Sequence, residues 1–171
     1  MAVFLIILMA ALVGADQAVK YWAATELKPI HSMDFISVGG KKLVDLTYLE
    51  NTGAIFGSMK GQRWFLIGFT SLILIIGFVV LFKYMKRSKV LSLAITLFLA
   101  GGIGNLIDRV RLSYVVDMFE FKFMNFAIFN VADICVTLAF VLLLIYAFII
   151  DPKIEKAQQV QPDNSNKGGK K

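Results

Sequence analysis

The sequence predicts a polytopic α-helical membrane protein, four transmembrane helices with a small extracytoplasmic β-element. Three observations carry that expectation. Four runs without a charged residue, at 1–15, 64–82, 90–107 and 134–150, approach the roughly 20 apolar residues that cross a bilayer core as a helix. Hydrophobic side chains make up 58% of the 171 residues and the mean hydropathy is +0.72, more apolar surface than a soluble domain of this size can bury. Between the runs lie two stretches of strand-like alternation, and threading the spans puts both on the same side of the membrane.

The first run is too short at about 1.5 Å per residue to cross the bilayer. Its helix must continue through Asp16, Gln17 and Lys20 to Trp22, giving a span over 2–22. Its small-residue segment 10–15 would suit a cleaved leader, but no Lys or Arg precedes the run, so the helix is expected to stay. Next, β-branched and aromatic residues at 33–38 and 42–48 flank Gly39-Gly40 and predict a hairpin. Further spans follow at 64–82, 90–108 and 133–150. Between the last two, Phe119, Phe121 and Phe123 alternate with Glu120, Lys122 and Met124, a period of two that predicts a short strand. Residues 1–151 are expected to form one membrane-embedded domain. The polar residues of 152–171 predict a disordered tail.

Charge sets the expected orientation. Lys83, Lys86, Arg87 and Lys89 crowd between spans two and three, and Lys153, Lys156, Lys167, Lys170 and Lys171 follow span four. The positive-inside rule makes these regions cytoplasmic, with both termini inside and the two strand-bearing loops outside. The net charge of +6 then reads as topology and lipid contact, with membrane lipids as partners and no nucleic acid. A lone Cys135 cannot form an internal disulfide, and a lone His31 argues against a histidine metal site.

On this topology the polar residues of the spans collect at one face: Asp16 and Lys20, the block Asn51 to Gly57, Asn105, Asp108 and Arg109, then Asp117, Asn130 and Asp133. Each has a structural reading. Asp16 and Lys20 suit an i,i+4 ion pair, Asn130 can cap span four with Asp133 in its first turn, Gly101, Gly102 and Gly104 suit close helix packing, and Arg109 can snorkel. Asp117 resists such an account, because it is a single carboxylate within the apolar stretch 114–119. No phosphate loop and no serine with a positioned base appears. What the outer face does offer is carboxylates and amides, and two close aspartates at a semi-dry boundary can share a proton and activate water against an amide carbonyl. Two other classes stay open on these residues. A small transporter would place its charges near the midplane and often repeats its halves, whereas no repeat is visible. A lipid-phosphate enzyme would use Asp-bound Mg²⁺, for which Asp108, Asp117, Asp133 and Arg109 are the available groups.

Five blocks in order, Asp16-Gln17-x-x-Lys20, Asn51-x-Gly53-Ala54-x-Phe56-Gly57, Gly101-Gly102-x-Gly104-Asn105-x-x-Asp108-Arg109, Val115-Val116-Asp117 and Phe129-Asn130-x-Ala132-Asp133, together resemble the lipoprotein signal peptidases, bacterial signal peptidase II. The resemblance covers Asp16 to Asp133. It implies an aspartic endopeptidase of the bacterial cytoplasmic membrane, without a cofactor or metal and monomeric. The implied substrate is a diacylglyceryl prolipoprotein, cut on the N-terminal side of the lipidated cysteine near the extracytoplasmic face. Carried over residue by residue, Asp117 and Asp133 are the catalytic dyad, and Asn51, Gly53, Asn105, Asp108, Arg109 and Asn130 are expected to hold substrate. Asp16 and Lys20 support the site. A helix N-terminus at Asp133 would favour its ionised form and leave the proton on Asp117. One departure is Met118, where the family pattern leads us to expect an aromatic residue.

Overall fold

The computed structural model describes residues 1–53 and 61–160. Helix α1 (Ala2–Trp22) runs on through a π-helical turn at Ala23–Leu27. Strands β1 (Ser32–Val38) and β2 (Lys41–Asn51) follow, joined at Gly39 and Gly40. Both glycines have positive φ, 58° and 75°, which a residue without a Cβ adopts at little cost. Then come α2 (Arg63–Tyr84), α3 (Lys89–Arg111), β3 (Val115–Phe121) and α4 (Val131–Ile145), which continues through a π-helical stretch at Tyr146–Ile150 into α5 (Asp151–Val160). Among the described residues, four segments are long and apolar enough to span a membrane: Ala2–Leu27, Arg63–Tyr84, Lys89–Arg111 and Val131–Ile154.

Helix α3 is the axis of the bundle. It packs against α1, α2 and α4, and half of its apolar stretch is buried, against under a fifth in the others. Its sequence explains the position. Ser92, Ala94, Thr96, Ala100, Gly101 and Gly104 are buried small residues that let neighbouring backbones approach. A Cβ on Gly101 would run into the Ala132 carbonyl oxygen of α4, and one on Gly104 would lie 2.5 Å from the Asp16 Oδ2 of α1. Toward the other end, Leu5, Leu74, Leu81, Leu91, Ile95, Leu99 and Tyr146 form the apolar core. Phe4, Ile7, Phe69, Ile75, Val79, Leu138 and Phe140 are exposed on the outer faces, where a bilayer and not water is the compatible solvent.

The sheet order is β1-β2-β3, all antiparallel. Ala23 and Leu27 of the π-helical turn pack on Leu46, Tyr48, Val116 and Met118, which fastens the sheet to the end of α1. Met118 is fully buried in this cluster, so it fills core space at the position where an aromatic residue was expected. Several boundaries differ from the sequence expectation. Strand β3 begins at Val115 and ends at Phe121, because its register is set by pairing, from Asn51 opposite Val115 to Val44 opposite Phe121. The last span starts at Val131, two residues early, because Asn130 supplies the cap. Helix α5 carries the chain to Val160, so residues 152–160 of the expected tail are helical, while 161–171 lie outside the described residues.

Candidate active site

The N-terminus of α4 organises one end of the bundle. The first amides of a helix lack intrahelical partners, and here three side chains supply them, two from the start of α4 itself and one from α1. Asn130 Oδ1 accepts from the Asp133 backbone N–H at 3.0 Å, and Asp133 Oδ2 accepts from the Asn130 N–H at 3.1 Å, a reciprocal capping box. Asp16 of α1 reaches across to accept from the Ala132 N–H at 2.9 Å. Asp133 is thereby pinned by its own helix cap, and its other oxygen, Oδ1, accepts from Asn105 Nδ2 at 2.9 Å.

Asp117 comes from β3, where strand alternation turns it away from its buried neighbours Val116 and Met118. Both its oxygens are occupied: Oδ1 accepts from Asn130 Nδ2 at 2.6 Å and Oδ2 from Asn51 Nδ2 at 2.9 Å. The side chain is 2% exposed, and burial pushes its carboxyl up to about 6. The Asp133 charge adds to the rise, and the Asn51 and Asn130 amides oppose it. Asn130 therefore touches both aspartates, one through its side chain and the other through its backbone.

Behind this pair lies a buried ionic cluster. Lys20 Nζ is 3.0 Å from Asp16 Oδ2, from Asp108 Oδ2 and from Asn105 Oδ1. The expected Asp16–Lys20 pair is thus part of a larger cluster that ties α1 to α3. Gln17, which sequence reasoning left without a role, donates to Asp108 Oδ1 at 2.9 Å and to the Gly104 carbonyl at 3.3 Å. It follows Asp16 by one residue in the first block, which is the signal that could have found it. Asp108 also accepts from the Val116 N–H at 3.2 Å, anchoring the strand residue just before Asp117. Arg63 at the start of α2 had no legible signal. It donates to the carbonyls of Arg109 and Val110 at 2.9 and 2.8 Å and so caps the end of α3.

A cavity of about 650 Å³ opens in front of the aspartates. Asn51, Asn105, Arg109, Asp117 and Asp133 line its polar end, while Phe121, Phe126, Phe129, Ile134, Val136 and Leu138 line its apolar walls. Three of the residues expected to hold substrate are elsewhere. Asn130 is completely buried behind the aspartates, Asp108 is buried among Lys20, Gln17 and Val116, and Gly53 presents its carbonyl to Arg109 NH2 at 3.1 Å. The part of the Asn51 block from Ala54 to Gly57 lies outside the described residues. Among the described residues no three His, Cys, Asp or Glu side chains are arranged to hold a metal ion.

Residues 8–149 match the family model for signal peptidase (SPase) II. The chain belongs to the signal peptidase II family. Lipoprotein signal peptidases of the same family from Streptococcus agalactiae serotype Ia and Streptococcus thermophilus are 39% and 40% identical over 134 and 135 residues, covering 78% and 79% of this chain and 84% and 86% of the relatives. Two solved bacterial membrane enzymes have the same fold. One, solved in meso at 2.3 Å, superposes with a TM-score of 0.78 and 29% identity over 98% of this chain and 94% of its own. The other, at 1.9 Å, gives 0.76 and 32% over 86% and 94%. Signal peptidase II membership makes the protein a peptidase with membrane-spanning helices.

Proposed function

We propose that the protein is a membrane-embedded aspartic endopeptidase that removes the signal peptide from diacylglyceryl prolipoproteins, cutting on the N-terminal side of the lipidated cysteine. The observation that carries this reading is the pair Asp117 and Asp133 on one cavity with polar groups at one end and apolar walls at the other. An ionised Asp133, at a helix N-terminus, takes a proton from water as the water oxygen bonds to the scissile carbonyl carbon. Asp117, whose carboxyl is pushed up by burial, gives its proton to the carbonyl oxygen. On collapse the C–N bond breaks, Asp133 returns its proton to the departing nitrogen, and Asp117 recovers one from the gem-diol. Arg109 and Asn105, the half-buried polar groups on the cavity wall, supply donors for the peptide backbone, which would otherwise be unpaired in a low-dielectric site. The apolar walls suit the signal helix and the acyl chains. Four spans and the basic opposite end support an orientation with the sheet end away from the cytoplasm and both termini inside.

Cleavage of a diacylglyceryl prolipopeptide by the purified protein in detergent tests the proposal. Asp117→Asn and Asp133→Asn should each lower turnover by about 10²–10⁴-fold while the protein stays folded, and EDTA should change nothing. Parent-like turnover in either variant overturns the dyad.

A further inference from the structure

We propose that Lys20 is a positioning residue for this cleavage: its ammonium fixes the orientation of the Asn105 carboxamide and, through it, the hydrogen bond that holds Asp133. The proposal rests on the reading that Asp117 and Asp133 carry the reaction.

A lysine ammonium has three N–H donors and no acceptor. Lys20 is 3% exposed, and its three acceptors, Asp16 Oδ2, Asp108 Oδ2 and Asn105 Oδ1, each lie at 3.0 Å. The atom that Asn105 turns toward Lys20 must therefore be its oxygen. Its NH₂ is forced to the other side, where it meets Asp133 Oδ1 at 2.9 Å. The same logic fixes the two amides on Asp117. Asn130 Oδ1 accepts from the Asp133 backbone N–H and Asn51 Oδ1 from the Gly53 backbone N–H, both at 3.0 Å, so each NH₂ points at the Asp117 carboxylate. Three asparagines thus present donors to two carboxylates, and in each the oxygen is engaged by a group that can only donate. Two of those donors are backbone amides. Lys20 is the side-chain lock.

Without the ammonium, the remaining donor to Asn105 Oδ1 is Asn130 Nδ2 at 3.1 Å, an uncharged group that also serves Asp117. That neutral donor holds the amide less firmly than an ammonium does, so the turned conformer, which presents the Asn105 oxygen to Asp133 and replaces an attraction by a repulsion, gains population. The charged and titratable groups that share this site with Asp133 are Asp117 from β3, Arg109 from α3 and the Cys135 thiol of α4, with Asp16, Lys20 and Asp108 in the cluster behind. Arg109 already lines the cavity and Asp16 and Asp108 are held by Lys20 itself, so none of them replaces the lost lock.

Removing Lys20 alone would leave Asp16 and Asp108 unpaired, so the test uses the Asp16→Asn/Lys20→Met variant, in which only Asp108 keeps its charge and still accepts from Gln17 and the Val116 N–H, beside Asp16→Asn, with a diacylglyceryl prolipopeptide as substrate. The expected result is a double variant that unfolds within a few degrees of Asp16→Asn, with kcat about 10–100-fold lower, KM within about two-fold and a displaced pH–rate profile. A folded double variant with the kcat and pH profile of Asp16→Asn overturns the proposal. Should the double variant fail to fold, the parent protein labelled with ¹⁵N-lysine decides: the Lys20 Nζ resonance should move as the aspartate pair titrates, and an indifferent resonance overturns the proposal. Asp133→Asn separates the two claims. A dead Asp133→Asn beside an unaffected double variant removes Lys20 alone, whereas an active Asp133→Asn overturns both.

Discussion

The two ends of the bundle hold similar residues in dissimilar ways. At the sheet end, Asp16, Lys20 and Asp108 bond to one another at 3.0 Å with side chains only 2–3% exposed. At the opposite end, Arg87 NH2 meets Asp151 Oδ1 at 2.7 Å, and Tyr146 donates to the same oxygen at 2.6 Å, but Arg87 and Asp151 remain 36% and 29% exposed. Ser92 and Thr96 on that half of α3 donate to carbonyls one turn back in their own helix. Burial and not residue type separates the two. Water screens the Arg87 clasp and could replace either partner, whereas the Lys20 cluster has no solvent to fall back on. At the sheet end the groups that this cluster fixes are the ones that face the cavity.

That contrast can be broken by mutation. The largest expected effect is on stability at the sheet end: Asp16→Ala takes one of its two carboxylate partners from the buried Lys20 ammonium and strands the Ala132 amide, and the two losses together should cost about 3–5 kcal/mol. Arg87→Ala should cost at most about 1 kcal/mol. Thermal unfolding in one detergent measures both, and equal losses would remove the distinction. A smaller effect is expected from Gly104→Ala, whose methyl meets the Asp16 carboxylate. We expect a loss of about 1–3 kcal/mol, against no loss for Gly68→Ala, whose Cβ would meet nothing within 4 Å. The smallest effect belongs to the opposite surface. Lys83→Ala and Lys86→Ala should leave turnover of a prolipopeptide unchanged, whereas Arg109→Ala should impair it strongly, and parity among the three would contradict a one-sided site.

Much of the fold was legible because the bilayer imposes its length on apolar runs, and 64–82 and 90–108 lie within α2 and α3. The Gly39-Gly40 turn was equally plain, since its neighbours are β-branched and its backbone needs positive φ. Strand β3 was harder. Its phenylalanine alternation marked a strand, but its limits depend on pairing with β2 across more than sixty residues of chain, which periodicity does not encode. In the site, the aspartates and asparagines were found as residue types at one face. Which of them line the cavity was not, because Asn130 and Asp108 are drawn behind it by contacts with β3 and α1. A four-residue spacing suggested that Lys20 answers Asp16, and only the approach of α3 through Gly104 shows that it answers Asn105 as well.

The central claim is that burial leaves a proton on Asp117 for the reaction. Its folded carboxyl, at about 6, lies above the unfolded value, so the stability linked to its protonated form is fully present below about pH 4 and is lost as pH rises through about 6. The proton it must donate is lost over the same range. Infrared difference spectra of the parent against Asp117→Asn, followed from pH 4 to 8 beside kcat/KM for a prolipopeptide, test this directly. We predict a protonated-carboxyl band that is absent from the variant and disappears with a midpoint of about 6, with kcat/KM falling on the same midpoint. A parent protein in which Asp117 ionises near the ordinary carboxylate value of about 3.9, with activity unchanged through pH 6, would contradict the account.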